Sequence, residues 1–273
     1  MKPATSGEPP FSTGYPVFPQ ALPASFPDES RYRLGFARTL AELEAAQRLR
    51  YEVFNLELGE GLDESHETGL DQDRFDPICH HLTVVDRKTD AVIGTYRMQT
   101  GEMALQHEGF YTADEFDLAR LPEELRLNAV ETGRACVARE HRNHRLLFML
   151  WRGLVAYMAH NRKRYVFGCC SLTSQDPVEG KQAMEHLIEK GYVRDDISVV
   201  PRAGWECYPR GFSLTGAQRA QTIKLPKLFR TYLRYGAKVC GTPALDRFFK
   251  TIDYLVIMDL NDLDPISRRM LFR

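Results

Sequence analysis

One predicted strand, residues 128–138, carries two opposite charges among small and apolar side chains. Successive side chains of a strand point to opposite faces, so we expect Glu131 and Arg134 on different faces of the sheet. Buried carboxylates and guanidinia are tolerated when they are paired, and unpaired ones usually indicate a functional role. The strand therefore predicts either an ordinary ion pair on a half-exposed edge strand or part of a functional site.

Periodic patterns on both sides of this strand predict a mixed α/β (α+β) fold. Thr39 and Glu42 have the spacing of a capping box, and the helix that follows places Arg50 and Phe54 one turn apart on one face. The β-branched runs around residues 87–90 predict a hairpin. Strands are predicted over residues 32–38, 81–86, 91–99, 165–172 and 254–260, and helices over residues 39–54, 146–160, 176–190 and 224–235. This order of elements predicts a single domain over residues 31–273.

The first thirty residues differ in composition from the rest of the chain. They are rich in Pro, Ser and Gly and contain no apolar core of a signal peptide, so we expect residues 1–30 to be a disordered or loosely docked arm. The 6 cysteines show no C-x-x-C spacing, which favours reduced, buried thiols over disulfides or a metal site. No apolar run approaches the ~18–20 residues of a membrane span. A cytoplasmic protein without a bound metal is therefore expected.

Charge is balanced over the chain but unevenly distributed along it. The sequence has 37 acidic and 36 basic residues, yet residues 57–76 have a net charge of −7, residues 139–164 of +6 and residues 202–238 of +7. Most charge runs are solvated faces. The alternative is an acidic region for a cationic substrate and basic surfaces for an acidic partner. Nucleic-acid binding is not expected, because the pI is about 6.7 and no recognised module occurs.

Several short motifs occur in an order that resembles the acyl-homoserine-lactone synthases. They are Arg50-x-x-x-Phe54, Asp73-x-Phe75-Asp76, Arg97 and Glu131-x-x-Arg134. Residues 232–246 and 249–256 resemble more specifically the ornithine-acyl carrier protein N-acyltransferases, which are related to N-acyl amino acid synthases. The resemblance covers residues 32–260. It implies a GNAT-like fold, in which helices flank a mixed, mostly antiparallel twisted sheet, and an acyl donor carried on acyl carrier protein.

Two departures from related patterns refine the implied substrates. Glu60 stands where the lactone synthases have a tryptophan that helps to hold S-adenosylmethionine, so a plain amino acid acceptor is implied. Acetyl-CoA enzymes use a glycine-rich turn to bind the pyrophosphate, whereas residues 139–145 contain no glycine. We expect Arg139, Arg142 and Arg145 to bind phosphopantetheine or acyl carrier protein. The alternative is a surface turn with solvated arginines.

The resemblance also implies roles for individual side chains. We expect Glu131 to act as the general base toward the acceptor amine, and Arg134 to hold Glu131 or the acceptor carboxylate. Arg97 is the second candidate for binding that carboxylate. Asp73 and Asp76 are expected to receive the side-chain ammonium of ornithine, with the alternative that Asp76 only starts a turn.

Together these expectations describe an N-acyltransferase that uses acyl-phosphopantetheine as donor and no tightly bound cofactor. It would move a (3-hydroxy)fatty acyl group to the α-amine of L-ornithine. Arg50 and Phe54 would close the acceptor pocket or pair with the acidic loop, unless Phe54 belongs to the core. The alternatives are glycine or another amino acid as acceptor, or a non-catalytic module that binds acyl carrier protein or lipid. The basic, aromatic residues 223–234 predict either transient contact with an anionic membrane or a core-packing helix.

Overall fold

The computed structural model describes residues 14–26 and 31–271. The strands are β1 (Tyr32–Phe36), β2 (His80–Asp86), β3 (Ala91–Thr100), β4 (Ala129–Val137), β5 (Tyr165–Leu172), β6 (Lys238–Val239), β7 (Ala244–Asp246) and β8 (Thr251–Asp259). The helices are α1 (Leu40–Tyr51), α2 (Ser65–Thr68), α3 (Gly101–Gln106), α4 (Glu123–Leu127), α5 (His144–His160), α6 (Pro177–Glu189), α7 (Gly216–Arg219), α8 (Lys227–Arg234) and α9 (Pro265–Leu271). Each predicted strand and helix is present, with end points that shift by a few residues.

The strands form a single eight-stranded sheet in the order β1-β2-β3-β4-β5-β8-β6, and β7 also pairs with β8. The pair β4–β5 is parallel, and the other ladders are antiparallel. This confirms the predicted mixed, mostly antiparallel sheet. The nine residues of β8 are all buried, which confirms that this strand is central.

Strands β4 and β5 separate after a short parallel ladder. Pairing runs from Ala129 opposite Tyr165 to Glu131 opposite Phe167 and continues no further. At the next position of β5, a Cβ on Gly168 would lie 2.1 Å from the carbonyl oxygen of Thr132. Only glycine therefore allows the two backbones to approach at the point where they diverge. We call this point the fork.

Helices and loops cover both faces of the sheet. The larger core cluster joins α5, α6 and α8 to the sheet through residues such as Leu154, Leu187 and Phe229. A second cluster packs the segment before β4 against the sheet, with Phe116 and Phe167 both fully buried. The fork lies between these two cores, so the gap between its strands opens inside the protein.

Helix α1 begins where the capping box predicts. The Thr39 hydroxyl accepts a hydrogen bond from the Glu42 amide at 3.2 Å, and the Glu42 carboxylate accepts one from the Thr39 amide at 3.2 Å. The helix continues as a π-helical segment over Glu52–Glu57, which buries Phe54. Arg50 is fully buried on the same side of the helix. The predicted pairing of Arg50 and Phe54 along one helix face is thus present.

The described part of the predicted arm contacts β2 and α5. His80 Nε2 donates to the Val17 carbonyl at 2.7 Å, Asn161 donates to the Ala21 carbonyl at 2.9 Å, and Leu22 belongs to the larger core. The rest of the predicted arm, residues 1–13 and 27–30, lies outside the described residues. Over residues 14–26 and 31–271, no helix combines the length and apolar content needed to cross a bilayer.

Candidate active site

A cavity of about 460 Å³ occupies the gap that opens at the fork. Both diverging strands line it, together with the π-helical segment after α1, the first turns of α5, helix α8 and strand β8. Phe54 lines it too and packs edge-to-face on Phe249, with ring centroids 5.3 Å apart. The sequence left open whether Phe54 belongs to the pocket or the core, and the structure places it at the boundary of both.

The lining of this cavity divides into two groups. Aromatic and aliphatic side chains of the larger core form one group, which includes Leu150, Trp151, Phe229, Tyr232, Val256 and Met258. Polar side chains form the other, which includes Glu60, Tyr111, Arg134, Ser171, Thr173 and Asp253. The cavity therefore offers apolar surface for a hydrocarbon chain and polar surface for a small charged molecule.

A β-bulge in β4 brings Arg134 to the polar group. Arg97 pairs with Gly133 and Thr95 with Cys136, so β4 has one extra residue there, and Arg134 adopts φ 52°. Its guanidinium lies over the Tyr111 ring, 5.0 Å from the centroid, on the face toward which Glu131 also points. The predicted placement of Glu131 and Arg134 on opposite faces is wrong, because the bulge shifts the alternation by one residue.

Three arginines and three aspartates form a buried group beside this strand, which we call the arginine–aspartate cluster. Its members are Arg50, Arg97, Arg134, Asp71, Asp73 and Asp76. Arg50 donates to Asp71 at 2.7 Å and to both oxygens of Asp76 at 2.8 and 3.0 Å. Arg97 bridges Asp73 at 2.6 Å and Asp76 at 3.0 Å. Formal charges in the cluster cancel, which is what permits six ionised groups to be buried together.

The cluster shows which partners the predicted site residues have. Burial alone would raise the pKa of Asp76, but the guanidinia of Arg50 and Arg97 outweigh it and hold that pKa below its ordinary value. Asp73 and Asp76 contact arginines of the same chain, and their predicted binding of an ornithine ammonium stays a prediction. Arg134 lies 3.3 Å from Asp71 and donates to Asp73 at 3.2 Å, so it does not pair with Glu131.

Glu131 is held by four hydrogen bonds. Its carboxylate accepts from Gln99 Nε2 at 2.6 Å, from the Tyr111 amide at 3.0 Å, and from the Thr112 amide and hydroxyl at 2.8 and 2.5 Å. Burial raises the pKa of Glu131, and the hydrogen bonds from Thr112 oppose that rise. These contacts fasten the turn at Tyr111–Asp114 to β4, so Glu131 organises the wall of the cavity; its predicted role as general base stays a prediction.

A second group of acids makes no ion pair with an arginine over residues 14–26 and 31–271. Carboxylate oxygens of Glu115 and Asp253 and the Cys169 thiol lie within 4.8 Å of one another, and we call the two carboxylates the acidic pair. Burial, and then repulsion by Asp246, raises the pKa of Asp253 to about 6. Burial and the charge of Asp253 also raise the pKa of Glu115. With Cys169, these are the described residues whose spacing suits a metal ion.

The basic turn after β4 presents its arginines to solvent. Arg139, Arg142 and Arg145 are all exposed, and Arg142 borders the cavity. Arg142 also holds the Glu57 carboxylate through two hydrogen bonds of 2.6 and 2.7 Å. Asn143 caps α5 by accepting from the Leu146 amide at 3.0 Å. The start of α5 and its arginines therefore stand beside the cavity, where a phosphate could reach them.

The acidic pair was not among the residues predicted from the sequence. Asp253 carried the same signal as Glu131, a carboxylate within an apolar strand, but the predicted strand began one residue after it. Glu115 lies just after the 3-10 turn Tyr111–Asp114, where no periodic pattern gave it a position. Packing of the segment around Phe116 against the sheet brings these two acids together.

Residues 49–152 match the family model described as the Acetyltransferase (GNAT) domain. The N-acyl amino acid synthase FeeM from uncultured soil microbes has a similar fold, with a TM-score of 0.51 at 12% identity, and the match covers 85% of this chain and 94% of that one. The sheet, the fork and the cavity thus define an acyltransferase with the GNAT fold.

Curated relatives narrow this class. L-ornithine N(alpha)-acyltransferase of Rhizobium meliloti (strain 1021) is 33% identical over 238 residues, which cover 83% of this chain and 79% of that protein. The protein of the same name from Rhodobacter capsulatus is 31% identical over 255 residues, which cover 89% and 95%. The chain belongs to the L-ornithine N(alpha)-acyltransferase family.

Proposed function

We propose that this chain transfers a (3-hydroxy)fatty acyl group from acyl carrier protein to the α-amine of L-ornithine, which gives lyso-ornithine lipid. The cavity at the fork carries this proposal, because it joins apolar surface for an acyl chain to charged surface for an amino acid. The names of the curated relatives support ornithine as the acceptor.

In the proposed reaction, the neutral α-amine attacks the thioester carbon, the C–N bond forms and the C–S bond breaks. The amine gives up a proton and the phosphopantetheine thiol takes one. We assign the general base to Glu131, whose raised pKa brings it nearer to neutral pH, acting through a water molecule. Beyond the fork, one edge of β4 has no partner strand among the described residues, so its N–H groups can polarise the carbonyl.

Arg134 is the proposed partner of the acceptor carboxylate. It lines the cavity, and its guanidinium lies 4.1 Å from the centroid of the Phe249 ring, which fixes its plane. Its Nε lies 3.3 Å from Asp71 without forming a hydrogen bond, and its Nη2 donates to Asp73 at 3.2 Å, so the two aspartates hold the guanidinium at the cavity wall. A guanidinium binds a carboxylate well because its donors match both oxygens. Arg50 and Arg97 contribute by holding the aspartates that position Arg134.

Acyl carrier protein is the proposed donor because the turn beside the cavity is basic and exposed. Arg139, Arg142 and Arg145 would contact the phosphodiester of phosphopantetheine or acidic side chains of the carrier. We also propose a cytoplasmic location with transient contact to anionic membranes. The buried side of α8 packs in the core, as one of the two interpretations predicts, while Lys227, Arg230 and Arg234 face solvent.

The test is a reaction of the purified chain with acyl carrier protein loaded with a 3-hydroxyacyl group and an equimolar mixture of amino acids. Mass spectrometry is expected to find N-acylornithine as the main product. Glu131→Gln is expected to lower the rate by ~100-fold or more and to retain carrier binding. Glu124→Gln, at an exposed position of α4, is the control. A glycine adduct, or carrier binding without any product, would contradict the proposal.

A further inference from the structure

The acidic pair joins the cavity wall to a residue behind it. Asp253 lines the cavity directly, and it pairs through its backbone with Ser171 of β5, beyond the fork. Glu115 stands behind it and contacts the Cys169 thiol at 3.9 Å. Both carboxylates come from segments that are fixed by the sheet and the second core.

Each acid of the pair has an oxygen without a partner. Asp253 is 4% exposed and Glu115 is 1% exposed, and their side chains share a hydrogen bond with each other. Asp253 Oδ1 and Glu115 Oε1 have no other hydrogen-bond partner among the described residues. A buried carboxylate oxygen without a donor costs free energy that a fold normally avoids. Asp253 lines the cavity and Glu115 lies behind it, so a donor that arrives with a ligand would meet Asp253 first.

The missing donor should be positively charged. Glu60 is a further buried carboxylate on the cavity wall, held by the Thr173 hydroxyl, and Asp246 lies close enough to raise the pKa of Asp253. The charge of Arg134 acts on Glu60 and Glu115, but its guanidinium is held by Asp71 and Asp73. The region has a surplus of negative charge, which favours a cationic group.

We propose that Asp253, with Glu115 behind it, binds the side-chain ammonium of a diamino acid acceptor while Arg134 binds its carboxylate. This inference rests on the proposed function and adds to it the residues that select the acceptor. An ammonium has three donors, enough for the two open oxygens and one further acceptor. It would also convert two repelling carboxylates into partners of one charge, which lowers their pKa values on binding.

The geometry makes a prediction about specificity. Norvaline has the same three-carbon side chain as ornithine but lacks the side-chain amine. Its binding would leave the acidic pair unpaired in a dry pocket, and a site built to bind a charged group strongly rejects an analogue without it. The wild-type chain should therefore prefer ornithine to norvaline.

The experiment measures kcat/KM for both amino acids with wild type, Asp253→Asn and Glu115→Gln. Each substitution should lower the ornithine value by about 30-fold or more, which is typical when one partner of a buried charge pair is removed. The norvaline value should remain or rise, which also shows that the variant is folded. Cys169→Ala, which leaves both carboxylates in place, should keep the preference for ornithine.

Other outcomes separate the possibilities. Equal losses for ornithine and norvaline in Asp253→Asn would overturn the inference and indicate a role in the reaction step. A wild-type enzyme that acylates both amino acids equally well would also overturn it, but would leave acyl transfer intact. A third outcome would assign Glu115, Asp253 and Cys169 to a metal site. In that case the wild-type chain would bind one equivalent of Zn²⁺, Cys169→Ala would abolish the binding, and Asp253→Asn would keep the wild-type amino acid preference.

Discussion

The arginine–aspartate cluster and the acidic pair are both buried and both charged, yet they are built on opposite principles. In the cluster every aspartate contacts an arginine, and Arg50 alone makes three hydrogen bonds to two of them. In the acidic pair, two carboxyl groups share a hydrogen bond with each other, and each leaves one oxygen without a further partner among the described residues. The cluster is complete without a ligand, whereas the pair is not.

This difference distinguishes charged residues that stabilise the fold from charged residues that we propose bind a substrate. A balanced network loses stability when any member is removed, because the remaining partner is left as an unpaired buried charge. An unbalanced pair already carries that cost, so removal of one member relieves it. Arg134 belongs to the cluster but also lines the cavity, and it therefore links the two regions.

The largest expected effect comes from breaking the cluster. Arg50→Ala leaves Asp71 and Asp76 without their main partner, so we expect the free energy of unfolding to fall by ~3–5 kcal/mol. Urea denaturation followed by circular dichroism measures the change. Arg48→Ala removes an exposed pair with Glu44 on the same helix and should change stability by less than ~1 kcal/mol. Similar values for the two variants would contradict the balanced-network interpretation.

The two regions should also respond differently to pH. The pKa of Asp253 is raised to about 6 from an ordinary value of 3.8, so its contribution to stability is present at low pH and is lost as the pH rises from about 4 to about 6. This shift in the pKa of Asp253 corresponds to a change of ~3 kcal/mol in the free energy of unfolding. The pKa of Asp76 is lowered, so its contribution is retained throughout that range and is lost only on further acidification.

Unfolding free energies of wild type and Asp253→Asn between pH 4 and 7 test this contrast. The variant cannot titrate at this position, so its stability should decline less over that range than that of wild type. Asp195→Asn, at an exposed position, should reproduce the wild-type curve. Parallel curves for wild type and Asp253→Asn would show that the acidic pair carries no uncompensated charge.

The smallest effect is expected at the fork, where the strand that carries Arg134 meets the strand that leads to the acidic pair. Gly168→Ala would force a methyl group against the Thr132 carbonyl, which should cost ~1–3 kcal/mol and slow acyl transfer. Gly35→Ala in β1, where no atom lies within 4 Å of the added methyl, is the matched control. If both variants unfold at the same urea concentration, the strands at the fork can separate without cost.

The sequence predicted the elements well where a local pattern determined them. Thr39 and Glu42 placed the start of α1, and the uninterrupted apolar content of β8 identified it as central. The segment between β3 and β4 was not predicted, because its short helices and 3-10 turns have no sustained period. Its position depends on contacts with distant residues, such as the hydrogen bonds from the Tyr111–Asp114 turn to Glu131.

The candidate site was predicted only in part, and for a related reason. Motif order identified the charged residues, but the partner of each depends on three-dimensional contacts that spacing does not encode. The β-bulge in β4 places Arg134 on the same face of the sheet as Glu131, where it contacts Asp71 and Asp73. The two acids of the acidic pair are 138 positions apart in the sequence, one before β4 and one after β5. No local sequence pattern connects them.

The fork also bears on which of two amines reacts. Asp253 lies opposite Ser171, further along β5 than the last β4–β5 pair at Phe167. An acceptor anchored there by its side-chain end can extend back toward the diverging strands, which line the same cavity. The amine next to the carboxylate then meets the thioester, and the more basic distal amine is kept away from it. Regioselectivity would thus be a matter of position along a strand rather than of nucleophilicity.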